Sequence, residues 1–230
     1  MYEDTYQGHN AMNEFEYLET LTGEQWTGVR FLRRPCAVGA YRFRLCEAVA
    51  RSFEQDLTLS WHDINCPGAL RSLGHADDDE KLAVHISQES GISCECVRRI
   101  IAASPRTDTP IISMTLGRID EPDICIGYLR PEAAMWLLRQ WQQTLGKSLE
   151  NSLTGFMAVC GAVAGAFNDA KIVYSLGCPE SRRHGCITAD RMVAALPSSI
   201  VSDLMREDTR CQRMNTSVMN ADIGSKSSRK

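Results

Sequence analysis

The chain has 230 residues, 43% hydrophobic and 23% charged, a balance that suits a soluble globular protein with a core of ordinary size. A formal net charge of −4 leaves no basic footprint for nucleic acid, and no apolar run approaches the roughly 20 residues that a membrane-spanning helix needs. The polar, acidic stretch from Met1 to Asn13 lacks the apolar core of a secretory signal, so a cytoplasmic, reducing location is expected, where ten cysteines do not build a disulfide framework.

Residues 1–22 read as a flexible N-terminal segment, 23–206 as one globular α+β domain, and 207–230, rich in Ser, Thr, Asn and Asp, as a disordered tail. Cys36 to Tyr41 suggests a short strand and Leu45 to Gln55 a helix. Leu57 to Ser60 is a brief strand leading to a Cys66-Pro67 corner and a short helix through Leu73. Gly74 ends that helix, since glycine takes the left-handed C′ position at little cost. Asp77 to Ile86 is polar and ambiguous. Ser93 to Ala103 reads as a helix that stops before Pro105. Pro110 to Leu116 and Asp123 to Tyr128 have the β-branched character of a buried strand pair. The clearest helix is Pro131 to Leu145, with proline at the first helical position, an apolar stripe of Ala134, Leu137, Leu138 and Trp141, and Gly146 at its end. Ala158 to Phe167 is a helix of small residues and Lys171 to Leu176 a strand. Ala189 to Ala195 is a strand or helix, and Pro197 to Met205 a final helix.

A short pattern occurs twice in this layout. Cys46-Glu47-Ala48-Val49-Ala50-Arg51-Ser52-Phe53 is echoed by Cys160-Gly161-Ala162-Val163-Ala164-Gly165-Ala166-Phe167. Each copy is followed by a β-like run and then a Cys-Pro pair, Cys66-Pro67 or Cys178-Pro179. An internal pseudo-repeat of helix, strand and Cys-Pro unit is therefore expected around a central cysteine site. Cys46, Val49, Ala50 and Phe53 stand at i, i+3, i+4 and i+7, as do Cys160, Val163, Ala164 and Phe167, so each set shares one helix face turned to the core. Any one of these cysteines alone is most simply a small apolar filler. Proline at the first helical position places Cys66 and Cys178 at helix N-caps, where free backbone N–H groups favour thiolate.

Four converging thiolates point to a metal or iron–sulfur centre. Structural zinc sites draw ligands from tight CxxC knuckles, whereas these four come from separate elements. The expected cofactor is accordingly a [4Fe–4S] cluster on Cys46, Cys66, Cys160 and Cys178, with zinc as the alternative. Cys94 and Cys96 stand two apart on a helix and diverge, Cys125 reads as core, and Cys36 and Cys186 are weaker candidates to approach the site. Arg182, Arg183 and His184 follow the second Cys-Pro corner. The guanidinium groups suit an anionic cluster, carboxylate or phosphate, and the histidine suits general acid or base work. Arg71 after the first corner, the pair His62 and Asp63, and Tyr128 with Arg130 are further candidates. No Walker A loop, GxGxxG turn, GxSxG elbow or HExxH helix is present.

Several of these stretches resemble the uncharacterised DUF169 family of bacteria and archaea. They are Leu57 to Ser60 through Cys66-Pro67-Gly68-Ala69 to Leu73-Gly74, Glu121-Pro122-Asp123, Arg130-Pro131-Glu132-Ala133-Ala134-Met135, Leu176-Gly177-Cys178-Pro179-Glu180-Ser181-Arg182, and Ala195-Leu196-Pro197. The likeness covers roughly Gly28 to Met205. It implies cysteines at the positions of Cys46, Cys66, Cys160 and Cys178 without naming their chemistry. The chain departs from the family near Cys36, where Gly39 stands in place of the family's lysine. The expectation carried forward is an iron–sulfur enzyme, an oxidoreductase or lyase. It would act on a small substrate or exchange electrons with a partner, and a homodimer is compatible with the sequence. A non-catalytic redox or metal sensor, or a structural metal module, is the competing class.

Overall fold

In the computed structural model, residues 12–76, 78–151 and 155–210 are described. The first half of the chain runs α1 (Glu14–Thr22), β1 (Trp26–Leu32), α2 (Leu45–Ser52), β2 (Leu57–Ser60), a 3-10 turn (Trp61–Asp63), α3 (Pro67–Ser72), α4 (Asp79–Ser90) and α5 (Cys94–Ala103). The second half runs β3 (Ser113–Gly117), β4 (Ile124–Leu129), α6 (Pro131–Leu145), α7 (Ala158–Asp169), β5 (Val173–Ser175), α8 (Pro179–His184), β6 (Met192–Pro197) and a last helix, α9, over residues 198–210. Six strands make one sheet in the order β2-β3-β1-β4-β6-β5, and every neighbouring pair is antiparallel.

Both faces of the sheet are covered, which follows from the strand sequences. Successive side chains on a strand point to opposite faces. In β4, Ile124, Ile126 and Tyr128 join one apolar cluster while Cys125 and Leu129 join another; in β6, Val193 and Ala195 take the first and Ala194 and Leu196 the second. The first cluster is completed by α2, α3, α4, α5 and α7, and the second by α1, α6 and α9. The helices that carry Cys46, Cys66 and Cys160 thus lie on one side. On that side α7, Ala-Val-Cys-Gly-Ala-Val-Ala-Gly-Ala at its start, is buried from Ala158 to Ala166, because its small side chains let the helix sit close to the sheet.

Several expectations change. Residues 14–22 are not a flexible lead but a capped helix. Asn13 and Glu16 form a capping box at its start, and Phe15, Tyr17 and Leu18 are buried. Residues 1–11 and 211–230 lie outside the described residues, and the part of the expected tail that is described, 207–210, is helical. Cys36 to Tyr41 is irregular rather than a strand. The expected pair β3 and β4 do not touch: β1 lies between them, Val29 opposing Leu116 on one side and Ile124 on the other. Phe167, expected inward, is 43% exposed and meets Phe31 edge-on at 4.7 Å. The two cysteine units share their order of elements, but α2 has 8 residues against 12 in α7, and β2 and β5 occupy opposite edges of the sheet. Their likeness is one of order.

Candidate functional site

Each of the four cysteines is set by a helix start. Cys46 is the second residue of α2 and is buried. Cys160 is the third residue of α7 and equally buried. Cys66 is the N-cap of α3 and Cys178 the N-cap of α8, each followed by proline at the first helical position, where the missing N–H is no loss. At Cys178 a reciprocal capping box forms: the Ser181 N–H donates to Cys178 Sγ at 3.4 Å, and the Cys178 N–H donates to Ser181 Oγ at 2.8 Å. Cys66 Sγ faces the Arg44 guanidinium at 3.9 Å.

Two glycines bring the helices together. Gly68, in the first turn of α3, abuts Met157, the left-handed N-cap of α7; a Cβ there meets Met157 Cγ at 2.9 Å. That contact sets Cys66 and Cys160 on facing helix starts. Gly185, at the end of α8, leaves no room for a Cβ either, which meets Ser181 O at 2.6 Å and Cys46 Cβ at 3.0 Å. The second contact seats α8 on α2.

The four thiols then line a single cavity of about 340 Å³. One further wall is α4, which turns Leu82, His85, Ile86 and Glu89 toward it, spaced i, i+3, i+4 and i+7 on one helix face. The rim is charged. Arg44 Nη1 lies 2.6 Å from Glu180 Oε2, with Arg183 Nη1 3.7 Å from Glu180 Oε1 and His184 Nε2 3.5 Å from Oε2. Burial pushes the Cys46 thiol up to about 12, with the nearby Cys66 and Cys178 adding to the rise. Cys160 rises well above the ordinary thiol range for the same reasons, burial first and then Cys66, Cys178 and Cys46. Without a cation, these two groups are protonated near neutral pH. Among the described residues, nine cysteines are free thiols, and no three His, Cys, Asp or Glu side chains form a group that could hold a single metal ion.

Residues 24–207 match the DUF169 family, described as uncharacterised ArCR. The chain belongs to the DUF169 family. No curated protein and no solved structure matches it. The DUF169 match takes in all four cysteines and every element from β1 through β6.

Of the three residues expected to do chemistry in this DUF169 chain, only Arg183 lines the cavity. His184 stands behind it on Glu180, and Arg182 donates to the Leu176, Ile187 and Thr188 carbonyls, closing the loops that flank α8. Arg71 is buried and faces away from the thiols, bonded to Asp79 and the Ser104 carbonyl. Arg130 pairs with Glu24, which Arg191 also holds, both at 2.6 Å. The Asp63 carboxylate accepts from the Ser60 and Gly39 N–H groups, and His62 lies against Trp61 with the two rings tilted. Tyr128 lies beneath the site, its hydroxyl 3.5 Å from the Cys46 carbonyl. Cys186, in left-handed conformation beside Gly185, is exposed, and neither it nor Cys36 lines the cavity. Sequence reasoning missed Arg44, the α4 face and Met157. Only Arg44 carried a signal, as a cation two residues before Cys46.

Proposed function

We propose that this protein holds a [4Fe–4S] cluster on Cys46, Cys66, Cys160 and Cys178 and uses it as a cytoplasmic enzyme on a small substrate. The observation that carries the reading is that four cysteines, from four different helix starts, line one cavity of about 340 Å³. A space of that size takes a group several atoms across, whereas a single zinc ion needs its sulfurs within about 2.3 Å of one point. The donor set fits as well. Buried thiols bind protons tightly, and a multiply charged cationic centre is the natural replacement for those protons. All-thiolate donors also suit iron and sulfide better than oxygen-seeking ions.

When bound, the cluster supplies electron transfer, or a Lewis-acidic iron where one thiol position is open. The chain's own groups divide the remaining work. Arg44, beside Cys66, offsets negative charge at the thiols. Arg183, 72% exposed on its side chain, can leave its loose contact with Glu180 to take an anionic group of the substrate. His85, on the α4 wall, and His184, sharing Glu180, are the groups able to give or accept a proton at the site. Leu82 and Ile86 on α4 give the cavity wall an apolar stretch.

Anaerobic purification with iron and sulfide analysis tests the reading. The expected result is a brown protein with about four irons and four sulfides per chain. The single variants Cys46→Ala, Cys66→Ala, Cys160→Ala and Cys178→Ala should lose most of the iron, while Cys96→Ser, which alters an exposed cysteine, should keep it. A colourless wild-type protein that takes up no iron on reconstitution overturns the proposal.

A further inference from the structure

Ser72, the last residue of α3, is completely buried, and among the described residues its hydroxyl has no hydrogen-bond partner of good geometry. Other buried serine and threonine hydroxyls in the described helices behave differently, although the half-buried Thr144 of α6 is likewise without a partner among the described residues. Thr22 donates to Leu18 O at 2.6 Å, Ser52 to Val49 O at 2.7 Å and Ser104 to Ile100 O at 2.7 Å. Such back-bonding to a carbonyl one turn earlier is the ordinary resort of a hydroxyl inside a helix. Ser72 forgoes it, and because α3 packs on α7 through Gly68 and Met157, the side chain beside this hydroxyl is the Cys160 thiol.

A neutral thiol is a poor acceptor, so in the metal-free chain this hydroxyl is buried at a cost that alanine would avoid. A thiolate is a strong acceptor, and an O–H donor beside it forms a charge-assisted bond. We infer that Ser72 is a positioning residue that donates its hydroxyl to the Cys160 sulfur when that sulfur is a cluster ligand, and so sets the reduction potential of the centre. The inference rests on the cluster reading above. A hydrogen bond to a ligating sulfur withdraws charge from the centre and makes reduction easier. Removing it should therefore make reduction harder.

The experiment is Ser72→Ala, purified anaerobically beside the wild type, with iron and sulfide content, midpoint potential and metal-free thermal stability measured on both. The variant is expected to load the same iron and sulfide. Its reduction equilibrium should fall about tenfold, a shift of about 59 mV to more negative potential for a one-electron couple. Its metal-free form should melt at or above the wild-type temperature, because no formed bond is removed. Equal potentials in two equally loaded proteins overturn this inference and leave the cluster reading standing. A lower melting temperature of the metal-free variant also overturns it, since the hydroxyl would then have a partner without the cluster. A wild-type protein that takes up no iron overturns both.

Discussion

At Gly185 the absence of one methyl group decides how the site is built. A Cβ at this position meets both Ser181 O and Cys46 Cβ inside normal contact, and both neighbours belong to the packed start of a helix, so neither can yield easily. Gly185→Ala should push α8 off α2 and spread Cys46 from Cys178. Overpacking of this kind costs about 1–3 kcal/mol. Thermal denaturation of the metal-free protein should show that loss, and iron per chain should fall with it; wild-type values for both would show that α2 and α8 have slack. The cysteines themselves were legible because burial leaves a period in the sequence: Cys46 and Cys160 recur with apolar residues at helical spacing. The Cys-Pro pairs were legible because proline at the first helical position fixes where a helix starts. Arg44 showed only as a cation two residues before Cys46, and Glu180 and Ser72 not at all, since their roles depend on neighbours that are distant in sequence. Arg71 shows the same limit from the other side. It follows Cys66 closely, yet its guanidinium turns to Asp79 and Ser104 rather than to the thiols.

That turn of Arg71 matters for a whole supersecondary unit. Asp79 opens α4 and Ser104 follows the end of α5, so one buried guanidinium on α3 ties both feet of the α4–α5 hairpin to the helix that carries Cys66. The hairpin buries little else in the core, Leu82 and Ala83 from α4 and Val97 and Ile101 from α5. Arg71→Met keeps the apolar stem and removes the three-way tie, leaving Asp79 and the Ser104 carbonyl without it. The expected loss is about 1–3 kcal/mol. It should be accompanied by faster amide hydrogen exchange in both α4 and α5, with exchange in α6 unchanged. A uniform rise across the chain would mean that Arg71 supports the fold at large and not the hairpin. At this scale α6 was readable in full, because fifteen residues with proline at the start, glycine at the end and an apolar stripe between them leave one solution. The strand β1 was not readable. Arg30 interrupts its apolar run, and its place between β3 and β4 is a non-local pairing that no short window contains. α4 was ambiguous because its polar sequence has only two buried residues to mark a face.

For the whole molecule, the concentration of buried thiols on one side of the sheet predicts how stability responds to base. In the metal-free chain Cys46 keeps its proton up to about 12, and Cys160 is raised in the same direction, both chiefly through burial. An unfolded chain releases those protons near the ordinary thiol value of about 8.5. Between these limits the unfolded state binds fewer protons than the folded one, so stability falls as pH rises from about 8.5 toward 12. Cys125, in the cluster on the other side of the sheet, and Tyr17, Tyr128 and Tyr174 are also raised by burial and steepen the same limb. Cys125 and the tyrosines do not distinguish metal-free from loaded protein, whereas Cys46 and Cys160 do. Once the four sulfurs are ligands they have already given up their protons, and their part of the alkaline loss disappears. Melting temperatures recorded from pH 7.5 to 10.5 should therefore decline more steeply for the metal-free protein than for the loaded one. In the metal-free Cys46→Ala variant, which lacks one raised thiol, the decline should be shallower than in the metal-free wild type. Parallel declines in loaded and metal-free protein would mean that the thiols keep their protons in both, and that iron, if present, is held elsewhere.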